Sequence, residues 1–302
     1  MMPSLWSRLR YSPFVANVIV TRRCNLACSY CNEFDRTSAP VAVALLEERL
    51  EQLRRLGTFG ISISGGEPTM HPDLPRVIAR CRALGFLRTG LISNGLLLTP
   101  ALIKALGDAG LQELQLSIDG VHANATTQKV LDNLRKRLAW LREHARFRVT
   151  VSGVIGACPP AEVAAVIDCA EQLGFTPRLL IIHDESGRLA ATTDELQAFE
   201  RLSARIPRTW MDFVDYRSRL IRDGRAPFKC RAGSRYLYVD EDGLVSWCSQ
   251  TRATWSKPLA DYTADDLRAQ FHAHKPCQDA CTLGCVRSAS QLDGWRTQLG
   301  ST

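Results

Sequence analysis

From residue 15 onward, short apolar runs alternate with longer stretches in which apolar positions recur every three to four residues. VANVIVT at 15–21 has the β-branched richness of a strand. VAVALLEERLEQLRRLG at 41–57 has helical spacing, with Pro40 at its start and Gly57 at its end, where helix geometry favours each. FGISIS at 59–64 reads as the second strand. LPRVIARCRALG at 74–85 reads as a helix with Leu74, Val77, Ile78, Cys81 and Leu84 on one face. LRTGLIS, LQELQLSI, RFRVTVSGVI and TPRLLII continue as strands, separated by helical stretches near 99–109, 127–145 and 160–173. Six βα units predict an α/β fold with a parallel sheet covered by helices. Six rather than eight predict a partial (β/α)6 barrel that stays open, with ligands at the C-terminal ends of its strands.

Beyond residue 182 the alternation stops. Two helical segments are expected near 193–205 and 211–223, and SRYLYVDEDGLVSWC at 234–248 reads as a β-hairpin around an Asp-Glu-Asp-Gly turn. The expected organisation is a barrel core over residues 15–185, a helical connection over 186–228, and a small C-terminal β-hairpin and cysteine-rich domain over 229–302.

Composition adds one feature. The chain has 302 residues, 45% hydrophobic and 23% charged, ordinary values for a globular protein. No apolar run reaches the roughly 20 residues of a membrane helix, and MMPSLWSRLRYSPF lacks the pattern of a secretory signal, so a cytoplasmic setting is expected. The net charge is +7, but Lys and Arg are scattered, which argues against a nucleic-acid surface. Cysteine is the exception. Eleven Cys without a secretory signal point to metal or redox chemistry rather than disulfides.

They fall in two groups. Cys24, Cys28 and Cys31 share one short loop after the first strand. Composition alone would place that spacing in about one such chain in 70. Zinc would normally take a fourth protein ligand in a structural site, and none is near. Three thiolates suit a 4Fe–4S cluster with one iron open. Cys230 and Cys248 bracket the hairpin, with Gly243 at its turn, and Cys277, Cys281 and Cys285 follow in CQDACTLGC. Five thiols are too few for two 4Fe–4S clusters and enough for one with a thiol spare, while a zinc site is the plainer alternative. Cys81 and Cys169 lie on apolar helix faces and read as packed core thiols, Cys158 as a strand-end residue that packs or faces substrate, and His122 as a loop residue.

The CxxxCxxC loop with Tyr30 before its last Cys, SISGGEPTM after the second strand, and LISNG and LQLSIDG at the third and fourth strand ends resemble, in that order, the radical S-adenosylmethionine (SAM) enzymes over residues 15–185. The resemblance implies that Cys24, Cys28 and Cys31 bind three irons and that the fourth chelates SAM. It implies that Gly65 and Gly66 let backbone approach the methionine, and that Glu67 meets its ammonium. Asn94, Ser117 and Asp119 would reach the ribose hydroxyls; for Asp119 a turn-forming role before Gly120 is the alternative. Tyr30 and His183 are further cofactor-site candidates, His183 heading the polar run His183, Asp184 and Glu185 after the last barrel strand, which a solvated loop explains equally well. Reductive cleavage of SAM would give a 5′-deoxyadenosyl radical that abstracts hydrogen from substrate, with an external one-electron reductant such as flavodoxin or ferredoxin.

The later cysteines resemble the auxiliary-cluster modules called SPASM and twitch, through the Cys–Gly–Cys arrangement of 230, 243 and 248. The tail departs from that pattern, with three evenly spaced Cys where two would suffice. Such enzymes include peptide modifiers, sulfatase-maturing enzymes and small-molecule dehydrogenases. With 23 residues ahead of Cys24, no separate peptide-recognition domain fits before it in this chain. That favours a small molecule or a peptide presented by another protein. The first reading is an oxidising radical SAM enzyme whose auxiliary 4Fe–4S cluster accepts an electron. The alternatives are a redox-neutral or bond-forming radical enzyme and, from another class, a non-catalytic iron–sulfur or zinc protein.

Overall fold

Among the described residues nine strands form one continuous sheet, in the order β6-β5-β4-β3-β2-β1-β7-β8-β9. The computed structural model describes residues 10–184, 188–206, 216–252, 254–291 and 293. The strands are β1 (Val15–Thr21), β2 (Gly60–Gly65), β3 (Arg88–Ser93), β4 (Glu113–Ser117), β5 (Arg148–Ile155), β6 (Thr176–Ile181), β7 (Tyr236–Val239), β8 (Leu244–Ser246) and β9 (Ser256–Pro258). The first six pair in parallel, as the βα alternation predicts, and β6 does not close onto β1. The barrel is partial because β7 pairs in parallel with β1, Val15 to Tyr236 through Val18 to Val239. β8 and β9 then extend that edge antiparallel. Strand β9 escapes sequence reading because it is three residues long and includes Pro258.

The barrel helices are α1 (Val43–Arg55), α2 (Leu74–Ala83), α3 (Pro100–Ala109), α4 (Leu131–His144) and α5 (Pro160–Gln172). After the barrel come α6 (Thr193–Ser203), α7 (Tyr216–Asp223), α8 (Ala264–His272) and α9 (Gly284–Gln291). Residues 211–215 of the expected second helix lie outside the described residues. Ala16, Val18 and Val20 face the helices and join Ile61, Ile63, Leu91 and Leu114 in the main core. Leu74, Val77, Ile78 and Cys81 are buried there, with Leu84 beside them, on the face the periodicity predicts. Two helices start later than the sequence suggests. Val41 N–H is taken by the Val20 carbonyl, so α1 begins at Val43 rather than at Pro40. Residues 122–130 form a loop against the first cysteine loop, so α4 begins at Leu131. No helix among the described residues is long and apolar enough to cross a membrane.

Over β4, β5 and β6 the inner face of the sheet carries polar side chains. Ser117, Ser152 and Arg178 are cross-strand neighbours on it, and Arg178 Nη1 donates to Gln115 Oε1 at 2.7 Å. On β7, Leu237 and Val239 turn toward the main core, whereas Tyr236 and Tyr238 join a second apolar cluster with Ile19, Cys230 and Cys248. At the hairpin turn Asp240 Oδ1 accepts from Asp242 N at 3.0 Å and Leu244 N at 2.8 Å, and Gly243 takes φ 82°, which explains the turn sequence.

The hairpin therefore shares the core of the barrel. Leu237→Ala removes a fully buried side chain and should cost about 2–5 kcal/mol. Chemical denaturation should show one transition that moves as a whole. A variant that shifted only a minor, separate transition would mean that the hairpin unfolds by itself.

Candidate active site

The first cysteine loop leaves β1 at its C-terminal end, where a parallel sheet presents ligand sites. Asp35 N donates to Arg22 O at 2.8 Å and Cys24 N to Asp35 O at 3.0 Å, closing the base of the loop. Cys31 N returns to Cys28 O at 3.1 Å. The glycine-rich turn after β2 grips the same backbone: Gly66 N donates to Thr21 O and Glu67 N to Arg23 O, both at 2.9 Å. A Cβ on Gly65 would stand 2.1 Å from Thr21 O, and one on Gly66 would stand 2.2 Å from Arg22 O. The two glycines are thus required by contact with the cysteine loop, a reason the sequence reading, which assigned the space to methionine, did not contain.

Glu67 is fully buried and committed to protein donors. Its Oε1 accepts from Thr69 N at 3.0 Å, Thr69 Oγ1 at 2.5 Å and Ser93 Oγ at 2.7 Å, and its Oε2 from Asn94 N at 2.7 Å. Burial raises its pKa, and the donors oppose that rise. Asn94 is also occupied: its Nδ2 donates to Asn25 Oδ1 at 2.8 Å and lies 4.0 Å from Cys24 Sγ. Glu67 and Asn94 thus form a buttress that runs from β2 and β3 into the cysteine loop.

On the other side, the loop after β4 folds over the cysteines. Ser29 N donates to Thr126 O at 3.1 Å, and Cys28 Sγ lies 3.8 Å from Thr127 Oγ1. Tyr30 Oη donates to Asp119 Oδ2 at 2.6 Å, and Thr127 Oγ1 donates to the same oxygen at 2.7 Å. Lys129 Nζ bonds the Tyr30 hydroxyl, sits 3.4 Å from Asp119 Oδ2 and lies 4.8 Å from the Tyr30 ring centre. Asp119 is fully buried, and its Oδ1 has no hydrogen-bond partner among the described residues. A buried carboxylate oxygen in that state calls for a donor. Ser117 is half-buried one turn of the pleat away on the same inner face.

Burial pushes the Cys24 and Cys31 thiols up, with each thiol in the other two's field for Cys24; Lys129 pulls Cys31 back down. Cys31 is exposed.

The second cysteine set draws on segments far apart in the chain. Cys281 lies in the field of Cys230, Cys248 and Cys277, and Cys248 in that of Cys230 and Cys285. Burial raises Cys230 to about 11 and Cys248 to about 12. Tyr236 packs in one buried cluster with Cys230 and Cys248, and Cys230 N donates to Gln278 Oε1 at 3.3 Å. In both sets the thiols are neighbours rather than a closed shell: among the described residues no three His, Cys, Asp or Glu side chains converge on a single metal position. The hairpin also braces the first loop. Tyr238 Oη donates to Glu33 Oε1 at 2.5 Å, and Asn32 Nδ2 to Gln250 Oε1 at 3.1 Å.

The remaining candidates are less involved. His183 Nδ1 pairs with Asp184 O at 2.9 Å, and no hydrogen bond or ion pair among the described residues joins it to the cysteine loop. Glu185 lies outside the described residues. Cys81 is a buried core thiol raised to about 12, and Cys169 packs half-buried against the same core. Cys158 is buried, takes Asn124 Nδ2 at 3.3 Å and is raised to about 11 by burial and Asp119. His122 is exposed and pairs with Asp132 at 2.7 Å. Thr127, Lys129, Glu33 and Tyr238 escaped sequence reading because their contacts span 99 to 205 residues.

Residues 18–156 match the model of the Radical SAM superfamily. The PqqA peptide cyclase of Methylorubrum populi is 36% identical over 174 residues, covering 55% of this chain and 44% of that protein. That of Methylocella silvestris is 33% identical over 174 residues, covering 55% and 46%. The match thus spans under half the length of these curated relatives. Among solved structures, Streptococcus suis SuiB bound to its precursor peptide SuiA gives a TM-score of 0.68 at 14% identity, over 88% of this chain and 66% of that one. Native anSMEcpe with bound AdoMet and Cp18Cys peptide gives 0.62 at 17% identity, over 91% and 90%. At such identities the likeness is one of fold.

Glu67→Gln tests the buttress. The new amide would turn an N–H toward Asn94 N–H or displace the donors on the other oxygen, at a cost of about 1–3 kcal/mol. Denaturation of the metal-free protein should report that loss. Unchanged stability with weakened SAM binding would instead restore the direct ammonium contact.

Proposed function

We propose that this chain, which carries a radical SAM domain at residues 18–156, cleaves SAM reductively and uses the resulting radical to modify a peptide. The carrying observation is the placement of Cys24, Cys28 and Cys31 on one loop at the strand ends, beside a buried Asp119 oxygen that lacks a donor among the described residues. The donor chemistry fits a 4Fe–4S cluster and SAM: three thiols for three irons, and polar groups on one side. When bound, this pair supplies one-electron cleavage of the sulfonium and abstraction of a substrate hydrogen.

The chain's own residues hold and orient. Cys24, Cys28 and Cys31 ligate the cluster. Tyr30, Thr127 and Lys129 fix Asp119 Oδ2, which leaves Oδ1 to accept a hydroxyl of SAM, with Ser117 nearby on the inner face. Gly65, Gly66, Glu67 and Asn94 set the loop from the other side. Cys230 and Cys248, with partners from Cys277, Cys281 and Cys285, hold an auxiliary cluster.

A peptide substrate is supported by the relatives named for a peptide cyclase and by two fold neighbours solved with peptides. The name cyclase favours bond formation within the peptide. Joining two peptide atoms with loss of two hydrogens removes one hydrogen atom, one proton and one electron. It is thus also an oxidation, and an auxiliary cluster on the second cysteine set would accept that electron. The first electron comes from an external one-electron reductant such as flavodoxin or ferredoxin. Eleven free thiols fit a reducing, cytoplasmic setting.

Anaerobic reconstitution should give about eight irons per chain, and the reduced protein should release 5′-deoxyadenosine from SAM. Changing Cys24, Cys28 and Cys31 together to Ala should abolish that release, whereas the Cys230/Cys248 pair change should leave uncoupled cleavage. Equal residual cleavage in the two variants would break the division of labour, and no cleavage by the intact protein would favour a non-catalytic iron–sulfur or zinc protein.

A further inference from the structure

Two guanidiniums from separate parts of the chain converge beside the barrel. Arg178 lies on β6 and Arg217 on α7. A Cβ on Gly284, at the start of α9, would stand 2.7 Å from Arg217 Nη2 and 3.1 Å from Arg178 Nη2. The two nitrogens are therefore no more than about 6 Å apart, and the glycine leaves them that space. Each guanidinium is held from behind. Arg178 Nη1 donates to Gln115 Oε1 at 2.7 Å, and the Arg217 guanidinium lies 4.8 Å from the Tyr216 ring centre. The Tyr216 hydroxyl is fixed in turn on Thr282 O.

Like charges this close repel each other, so the pair is costly without an anion. Arg217 forms no ion pair among the described residues, and its Nε is buried without a hydrogen-bond partner among them. A further observation comes from β5. Val149 and Val151 turn toward the main core, so Ser152 faces inward, between Ser117 of β4 and Arg178 of β6 in the register of the sheet. Ser152 is fully buried, and its Oγ also has no hydrogen-bond partner among the described residues. A hydroxyl can donate one hydrogen bond, and a guanidinium only donates. Two fixed cations and an unused hydroxyl, on the ligand-binding side of the sheet, call for an anion with acceptor oxygens.

We propose that Arg178, Arg217 and Ser152 form a subsite that binds a carboxylate of the substrate. On the peptide reading given above, from which the source of the group follows, that carboxylate is an acidic side chain or the C-terminus. Its two oxygens match the guanidinium fork and keep a lone pair for the hydroxyl. Neighbouring strands are about 4.8 Å apart, so the group is anchored two strands across from Ser117, about 10 Å away. The three residues hold and orient substrate, and they set its specificity.

The test is a ligand-observed NMR titration of the full chain, reconstituted anaerobically, with four probes. These are Gly-Glu-Gly blocked at both ends, Gly-Gln-Gly blocked likewise, Gly-Gly-Gly with a free C-terminus, and succinate. At least one acidic tripeptide should saturate the wild type, and the Gln peptide should bind at least ten-fold more weakly. Which acidic peptide saturates tells side chain from C-terminus. Arg217→Gln should weaken that peptide at least ten-fold, whereas Arg219→Gln, which removes the same charge from an exposed position of α7, should not. Arg178→Gln should behave as Arg217→Gln does; if it fails to fold, Arg217→Gln decides alone. Equal binding of the Glu and Gln peptides with no saturation by the free C-terminus, equal losses in Arg217→Gln and Arg219→Gln, or no saturation by any carboxylate overturns the subsite. Saturation by succinate alone, lost in Arg217→Gln, upholds the subsite and overturns the peptide reading.

Discussion

The parallel pairing of β1 with β2 on one side and β7 on the other is the constraint on which the site depends. β1 alone delivers the first cysteine loop, and its neighbours deliver what that loop leans on. From β2 comes the turn whose glycines must lack side chains, because Thr21 and Arg22 carbonyls occupy the space a Cβ would fill. From β7 comes Tyr238, whose hydroxyl holds Glu33 at the far end of the same loop. A loop carrying three thiols has little apolar surface of its own to bury. Its conformation is set instead by hydrogen bonds to two strands and to the loop after β4.

The two cysteine sets are built on the same electrostatic plan. Burial raises the thiols in each, which disfavours bare thiolates. Each set also has a lysine whose ammonium is held in place by protein oxygens: Lys129 at Asp119 and Tyr30, Lys275 at the end of α8. The environments differ in one respect. Lys129 has a carboxylate partner and Lys275 has none among the described residues.

Much of this was legible in the sequence because period and turn chemistry are local. VANVIVT marked β1 to the residue, and the α2 face from Leu74 to Cys81 was read directly from its spacing. The cysteine loop was legible because three thiols in eight residues have few other uses. Tertiary competition explains the misplacements. Val41 looked helical and is held by Val20, and residues 127–130 looked helical and are held by the cysteine loop. Glu67 illustrates the limit most clearly. Its place after two glycines at a strand end was read correctly as an inward position, yet nothing local says that Thr69, Ser93 and Asn94 would claim both oxygens. Sequence places a carboxylate near a site more readily than it tells whether the carboxylate serves ligand or scaffold.

The geometry of β7 ties these observations together. Tyr236 and Tyr238 are two residues apart, so they face the same inner side of the sheet, about 7 Å apart along the strand. They serve different centres: the Tyr238 hydroxyl goes to Glu33 of the first loop, and Tyr236 packs with Cys230 and Cys248 of the second set. A one-residue slip of β7 against β1 would send both tyrosines into the helix-side core and Leu237 and Val239 into the polar interior. The apolar face of the strand therefore fixes the register, and the register fixes which centre each tyrosine reaches. Arg178 closes the opposite wall: it is bonded to Gln115 inside the barrel, and its guanidinium approaches Gly284, next to Cys285. The spacing between the two cysteine sets is thus a property of the sheet itself, carried by main-chain pairing at β1–β7 and by one side chain across the barrel.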